Sequence, residues 1–235
     1  MASAWWDPSG PTKLLHRMNI ARVKYMRHRI CEEAGINVMS AKPFQGLNFL
    51  DAGCGGGLLT ESLARLGGTV TGIDASYESI VICKDRSHHE ESPGERTYLH
   101  STIGEKLSTQ QKALFDVVCC MEVLEHVDHV EYFLDQLVDL TKPGGHIFLS
   151  TINRTLRSFA MTILVAEYLA RLTPVGTHDW TKYIKPQELV SLLRRRQCYI
   201  LDVAGMDYEL DKEAWALNTR DVSCNYVIHA RRPQD

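Results

Sequence analysis

The sequence predicts an α/β domain built on a doubly wound, mainly parallel sheet, and three observations carry that expectation. From Leu47 onward, short apolar runs alternate with segments of helical period, the pattern of successive βαβ units. The first apolar run enters a glycine-rich turn, Gly53-Cys54-Gly55-Gly56-Gly57, and the second ends in an acidic residue, Asp74. Right-handed crossovers then require helices on both faces of an open sheet.

The elements follow in order. Residues 14–35 space Leu15, Met18, Val23, Met26 and Ile30 at roughly helical intervals, with Gly35 as the stop, so residues 1–46 form a helical preface. NFLDA is the first strand and LLTESLARLGG a helix closed by paired glycines. TVTGID (69–74) is the second strand and YESIVICKDRSHHEE the second helix of the alternation. TYLHST (97–102), FDVVCC (115–120) and HIFLSTI (146–152) are further strands, with VDHVEYFLDQLVDLT as the helix before Pro143-Gly144-Gly145. Residues 154–185 interrupt the rhythm and read as an insertion. A helix opened by Pro186 and two strands, YILDVAGM and NYVIHARR, complete the chain. With no repeat, low-complexity stretch or composition shift, residues 1–235 are expected to form one domain.

Composition narrows the partners. The 235 residues carry 26 basic and 29 acidic side chains, a net charge of −3, so no general positive field exists to hold nucleic acid. No apolar run reaches the roughly 18 residues that a spanning helix needs, and MASAWWDPSG has no signal-peptide core. The seven cysteines include no CxxC pair, which suits reduced thiols and argues against a structural zinc site.

A glycine turn between strand and helix lets a ligand approach the backbone without Cβ interference. The dinucleotide fingerprint would need its third glycine where Leu58 stands, which weakens a dehydrogenase reading. Asp74, at the end of the next strand, is placed to accept from both hydroxyls of a ribose; as a bland alternative it caps the following helix. Together these features suit a nucleoside cofactor.

LDAGCGGG, GID, FDVVCCMEVLEHV and KPGG, in this order and spacing, resemble the class I S-adenosylmethionine-dependent methyltransferases. WWDPSGPTKLLHRMNIAR, STINRT, PVGTHDWTKYIKP and CNYVIHA extend the resemblance to the ubiquinone-biosynthesis O-methyltransferases over nearly the whole chain. The resemblance implies a Rossmann-like sheet of seven strands with the last antiparallel, and methylation of polyprenylated catechols. It also implies that Arg22, Gly53, Asp74 and Met121 bind S-adenosylmethionine: Gly53 and Arg22 at the methionine part, Asp74 at the ribose, Met121 at the adenine. From residue pattern alone, Arg22 fits a solvated helix face equally, since Arg17, Lys24, Arg27 and Arg29 stand nearby.

Glu122, Glu125 and His126 follow the fourth strand, at the sheet end where open α/β folds place ligands. If a helical turn begins at Glu122, the three share one face and can converge on a divalent cation. The resemblance assigns them that role, with magnesium favoured; packing beside the cofactor without metal is the alternative. A cation bridging both catechol oxygens would favour the phenolate and align it. Otherwise His126 or His178 takes the proton as general base, so Glu122, His126 and His178 are the candidate catalytic residues. For His178 a surface loop position is the alternative.

Residues 156–172 place Phe159, Ile163, Ala166, Leu169 and Ala170 on one stripe flanked by Arg154, Arg157 and Arg171, as in an amphipathic helix lying at a membrane surface; a lid helix is the rival. The resemblance supports peripheral membrane contact, because a polyprenyl-catechol lipid lives in the bilayer, and it implies the matrix side of the mitochondrial inner membrane or the bacterial cytoplasm. Family members usually have more sequence before Trp5-Trp6, so an absent presequence is expected. Rival functions are a methyltransferase for another phenolic or carboxylate substrate, and a cofactor-binding scaffold in a ubiquinone-biosynthesis complex. A base N-methyltransferase fits less well, because Cys120-Met121-Glu122-Val123 stands where such enzymes carry an Asn/Asp-Pro-Pro-aromatic sequence.

Overall fold

A computed structural model of the protein describes residues 5–103, 113–163, 179–209 and 211–234. Among the described residues, eight strands form one sheet: β1 (Asn48–Ala52), β2 (Thr69–Asp74), β3 (Arg96–His100), β4 (Phe115–Met121), β5 (Thr141–Ile152), β6 (Tyr199–Glu209), β7 (Ala214–Asn218) and β8 (Asn225–Arg231). Their order is β3-β2-β1-β4-β5-β8-β6-β7. Neighbours from β3 through β5 pair in parallel, β8 runs antiparallel to β5 and β6, and β7 is antiparallel to β6. Chain order reverses between β1 and β4, and the crevice beyond their carboxyl ends is the natural ligand position in such a sheet.

The longer helices among the described residues are α1 (Lys13–Ala34), α2 (Leu58–Arg65), α3 (Tyr77–His89), α4 (Val130–Leu140) and α5 (Pro186–Arg195). The expected stop at Gly35 is present: its φ is +63°, a left-handed conformation that glycine adopts without Cβ strain, and the next N–H, of Ile36, donates to Cys31 O at 2.9 Å. Proline opens α5, where its missing N–H would have had no helical partner. On one face of the sheet, α1 and α2 bury Met18, Met26, Ile30, Leu59 and Leu63 against Phe49, Val117 and Phe148. On the other, α4 and α5 bury Leu134, Leu137, Leu189 and Leu193 against Leu50, Val118 and Leu149. At about 1.5–3 kcal/mol per buried apolar side chain, these two layers fix how the sheet ends lie under α1 and α4. Covered on both faces, β4 reads as an almost unbroken apolar run, and β1 is buried from Phe49 to Ala52 although it contains Asp51.

Two expectations need correction. The sheet has eight strands where the resemblance implies seven; the added strand, AWALN, is too short to show a period and forms because β6 offers it a hairpin partner, with Tyr208 opposite Trp215. In addition, β5 starts at Thr141, before Pro143-Gly144-Gly145, and its register against β4 shifts between Phe115 and Val117, an irregularity that absorbs the glycines.

The interior also contains an imidazole that the apolar pattern conceals. His229 on β8 is 1% exposed, stacks on Phe148 at 4.2 Å and lies 3.0 Å from His146 Nδ1 through its Nε2. Burial, reinforced by His146, Arg29 and Arg231, lowers its pKa to about 3. A group whose folded pKa lies below its unfolded value loses stability as pH falls through the unfolded value, near 6.5. Stability should therefore drop by about 2 kcal/mol between pH 7 and pH 5 from this residue alone. In urea unfolding at both pH values, His229→Leu is expected to reduce the drop by about that amount; an unchanged pH dependence would contradict the assignment.

Candidate active site

The turn after β1 is shaped by backbone conformation. Gly53, Gly55 and Gly57 have φ of +77°, +53° and +86°, values that L side chains rarely adopt. The N–H groups of Gly53 and Cys54 both donate to Ile73 O, at 2.7 and 3.0 Å, tying the turn to the end of β2. Asp74 fixes its other side, accepting from Gly55 N–H and Ser76 N–H at 2.8 Å each. A Cβ on Gly53 would lie 2.4 Å from Val123 Cγ2, and one on Gly56 would lie 2.0 Å from Trp5 Cδ1. Part of the glycine requirement thus comes from the protein's own walls.

The turn opens onto a cavity of about 680 Å3. Leu15, Asn19 and Arg22, at i, i+4 and i+7 on α1, line one wall; Tyr132, Phe133 and Gln136 on α4, with His129 just before its first turn, line another. The floor includes Asp51, Gly53, Asp74, Met121, Glu122 and His126. Arg22, Gly53, Asp74, Met121, Glu122 and His126, separated widely in the chain, therefore meet at one cavity, whereas Glu125 is buried behind it. His178 and residues 164–178 of the insertion lie outside the described residues.

Arg22 does not lie on a solvated face. It is 7% exposed, and its Nη2 stands 3.1 Å from Glu122 Oε1, while Arg17, Arg27 and Arg29 find partners elsewhere: Glu213, the Val38 and Ser40 carbonyls, and Asp202. Arg22 Nε is buried without a hydrogen bond, a free donor suited to a carboxylate, while Nη2 is engaged by Glu122. Asp51, unnoticed in the sequence because it reads as an ordinary strand residue, accepts from Thr60 Oγ1 at 2.7 Å. Burial, partly opposed by Thr60 and Arg22, raises its pKa to about 6. Asn19, Asp51, Trp5 and the α4 face escaped the sequence reading; the one available signal was the shared helical spacing of Leu15, Asn19 and Arg22.

The acid-histidine cluster requires a correction. No right-handed turn begins at Glu122, whose φ is +56°; the 3-10 turn spans Leu124–His126, so the i, i+3, i+4 face is not formed. Glu122 is instead held by Ser150 Oγ on Oε1 at 2.8 Å and Asn225 Nδ2 on Oε2 at 3.0 Å, besides Arg22. Glu125 accepts from Thr151 Oγ1 at 2.7 Å, and burial, with Glu122 adding, holds its carboxyl well above the usual range. Among the described residues no three His, Cys, Asp or Glu side chains are grouped to hold a metal. Glu122, Glu125 and His126, as arranged, do not fit the divalent cation expected of them.

In the insertion, a helical turn at Leu156–Ser158 is anchored by Trp180 Nε1 donating to Thr155 O. Leu156 and Met161 are exposed, and Phe159 borders on exposed. Among the described residues, no helix is long and apolar enough to cross a membrane.

Comparison with known proteins gives concordant results. A family model described as a methyltransferase domain matches residues 22–203. A ubiquinone biosynthesis O-methyltransferase of Dinoroseobacter shibae is 43% identical over 99% of this chain and 92% of its own. Its mitochondrial namesakes in Arabidopsis thaliana and Dictyostelium discoideum are each 42% identical, over 100% and 97% of this chain and 72% and 74% of theirs. Among solved structures, a plantazolicin methyltransferase with SAH has a TM-score of 0.65 at 13% identity, covering 98% of this chain and 93% of its own. The magnesium protoporphyrin IX methyltransferase of Synechocystis with SAM has 0.60 at 18%, covering 95% and 84%. At such identities these two show the fold alone.

The glycine geometry predicts separable costs. Gly46 has φ +86° with open space around it, whereas Gly53 has both a positive φ and the Val123 overlap. Alanine at Gly46 is expected to cost about 1–2 kcal/mol in urea unfolding, and alanine at Gly53 clearly more; equal losses would mean that Val123 yields freely.

Proposed function

Because the chain belongs to the ubiquinone biosynthesis O-methyltransferases, a family of S-adenosylmethionine-dependent enzymes, we propose that it methylates one oxygen of a polyprenylated catechol. The observation that carries this reading is the single cavity where Gly53, Asp74, Arg22, Met121 and His126 meet. When bound, the cofactor supplies an electrophilic methyl group on a sulfonium sulfur. Gly53 leaves the backbone open to it, and Asp74 is an acceptor for the two ribose hydroxyls. Arg22 holds the carboxylate of its amino-acid end with a guanidinium whose Nε has no hydrogen bond of its own, and the Met121 thioether packs against the base.

For the acceptor, the residues favour proton removal by His126. A phenol of pKa about 10 is mostly neutral at pH 7 and a weak nucleophile; an imidazole at the cavity takes the proton as the oxygen attacks. The O–C bond forms as the S–C bond breaks, and S-adenosylhomocysteine leaves with the electron pair on sulfur. Glu122 is committed to Arg22, Ser150 and Asn225, so its role is to position Arg22. No step is assigned to a cation, since the proposed ligands do not converge.

Exposed Leu156 and Met161 support docking of the insertion on a bilayer, from which a lipid head group reaches the cavity. The mitochondrial names of two relatives and the bacterial origin of another support a mitochondrial or bacterial setting; within it, the matrix face of the inner membrane, or the bacterial cytoplasm, is the proposed place.

Two experiments test the reading. With labelled cofactor and a short-tailed dihydroxybenzoate, methyl transfer is expected, His126→Ala should lower kcat at least about 100-fold, and a chelator should leave turnover unchanged. Cofactor binding without turnover would favour a scaffold, and turnover lost to chelator but restored by magnesium would mean that Glu122, Glu125 and His126 regroup around the ion. In flotation with anionic liposomes, the protein should rise with the vesicles, and Leu156→Asp combined with Met161→Asp should leave it in solution; flotation of neither form would refute docking.

A further inference from the structure

We infer that Asn19 is a cofactor-binding residue whose Oδ1 accepts a hydrogen bond from the α-ammonium group at the amino-acid end of S-adenosylmethionine. The inference rests on the proposed function and assigns a residue of this chain to one group of that ligand.

Asn19 lies on the cavity face of α1, one turn before Arg22, and is 7% exposed. The orientation of its amide is fixed by its neighbours. Nδ2 donates to Leu58 O and to Ser62 Oγ, both at 3.0 Å. A carbonyl only accepts, and the Ser62 hydroxyl has already committed its proton to Leu58 O at 2.8 Å, so both partners require the nitrogen. Flipping the amide would set oxygen against two acceptors. The nitrogen therefore ties α1 to α2, and Oδ1 is left as a buried acceptor without a partner.

Buried acceptors in folded proteins are nearly always satisfied, and an orphan held in place by its own side chain at a ligand cavity is one that a ligand can complete. What stands beside it indicates which ligand. Arg22, three residues on, has a buried Nε with no hydrogen bond, while its Nη2 is ion-paired with Glu122. One helix face thus presents an unpaired acceptor and, a turn away, a guanidinium with an unpaired donor, the complement of a group carrying both an ammonium and a carboxylate. Asp51 on the same cavity adds a carboxyl group that also favours a cation. An α-amino acid has this charge pair on one carbon, and the cofactor ends in one.

The test compares two ligands by calorimetry: S-adenosylhomocysteine, and its analogue with hydrogen in place of the α-amino group. The wild-type protein should prefer the amine-bearing ligand by at least about tenfold. Asn19→Ala should lose about tenfold for S-adenosylhomocysteine and little for the analogue, so that the preference collapses. Equal weakening of both ligands in Asn19→Ala would reduce the residue to a tie between helices and overturn the inference, as would an unchanged preference. Should alanine at this position prevent folding, Asn19→Leu, closer in size, carries the same comparison. Failure of the wild-type protein to bind S-adenosylhomocysteine at all would count against the proposed function instead.

Discussion

The carboxylate of Glu122 holds the site together. It ends β4 in a left-handed conformation and gathers Arg22 from α1, Ser150 from β5 and Asn225 from β8. Burying a carboxylate is unfavourable unless donors compensate it, and removing one partner from such a cluster is far more damaging than its net contribution suggests. The preface helix, the middle of the sheet and the final strand are therefore coupled through one side chain, and the position of α1 over the cavity follows from it. The same commitment removes Glu122 as a ready metal ligand.

Much of this architecture was legible in the chain. The alternation of apolar runs and helical segments, Gly35 as a stop, Pro186 as a start and the glycine turn before α2 all rest on local rules that tertiary contacts reinforced. AWALN was not legible, since five residues cannot declare a period and its strand exists only because β6 is beside it. The extension of β5 back through Pro143 was hidden because proline and glycine ordinarily end a strand, whereas here a register shift accommodates them.

The site was legible in its members and illegible in its arrangement. Gly53, Asp74, Met121 and Arg22 were named from motif and resemblance, and all line the cavity. The spacing Glu122, Glu125, His126 misled because positive φ at a glutamate has no signature in sequence, and helical spacing means nothing across it. Arg22 illustrates the converse: six lysines and arginines on one helix look alike in composition, and only the helix's rotation over the sheet separates the buried one from the rest. Asn19 and Asp51 were missed for a similar reason, since their value depends on what they face.

Trp6 donates its indole N–H to the carbonyl of Gly56, fifty residues further along, and the backbone of Trp5 is held by Thr12 and His16. During synthesis the amino-terminal segment emerges first and must wait for the glycine turn before its rim contacts exist. The Arg22 cluster waits longer still, because Asn225 lies almost at the end of the chain. Such distant partners make assembly of the cavity a late event for the nascent polypeptide, since the cluster around Arg22 is incomplete until the chain as far as Asn225 has left the ribosome.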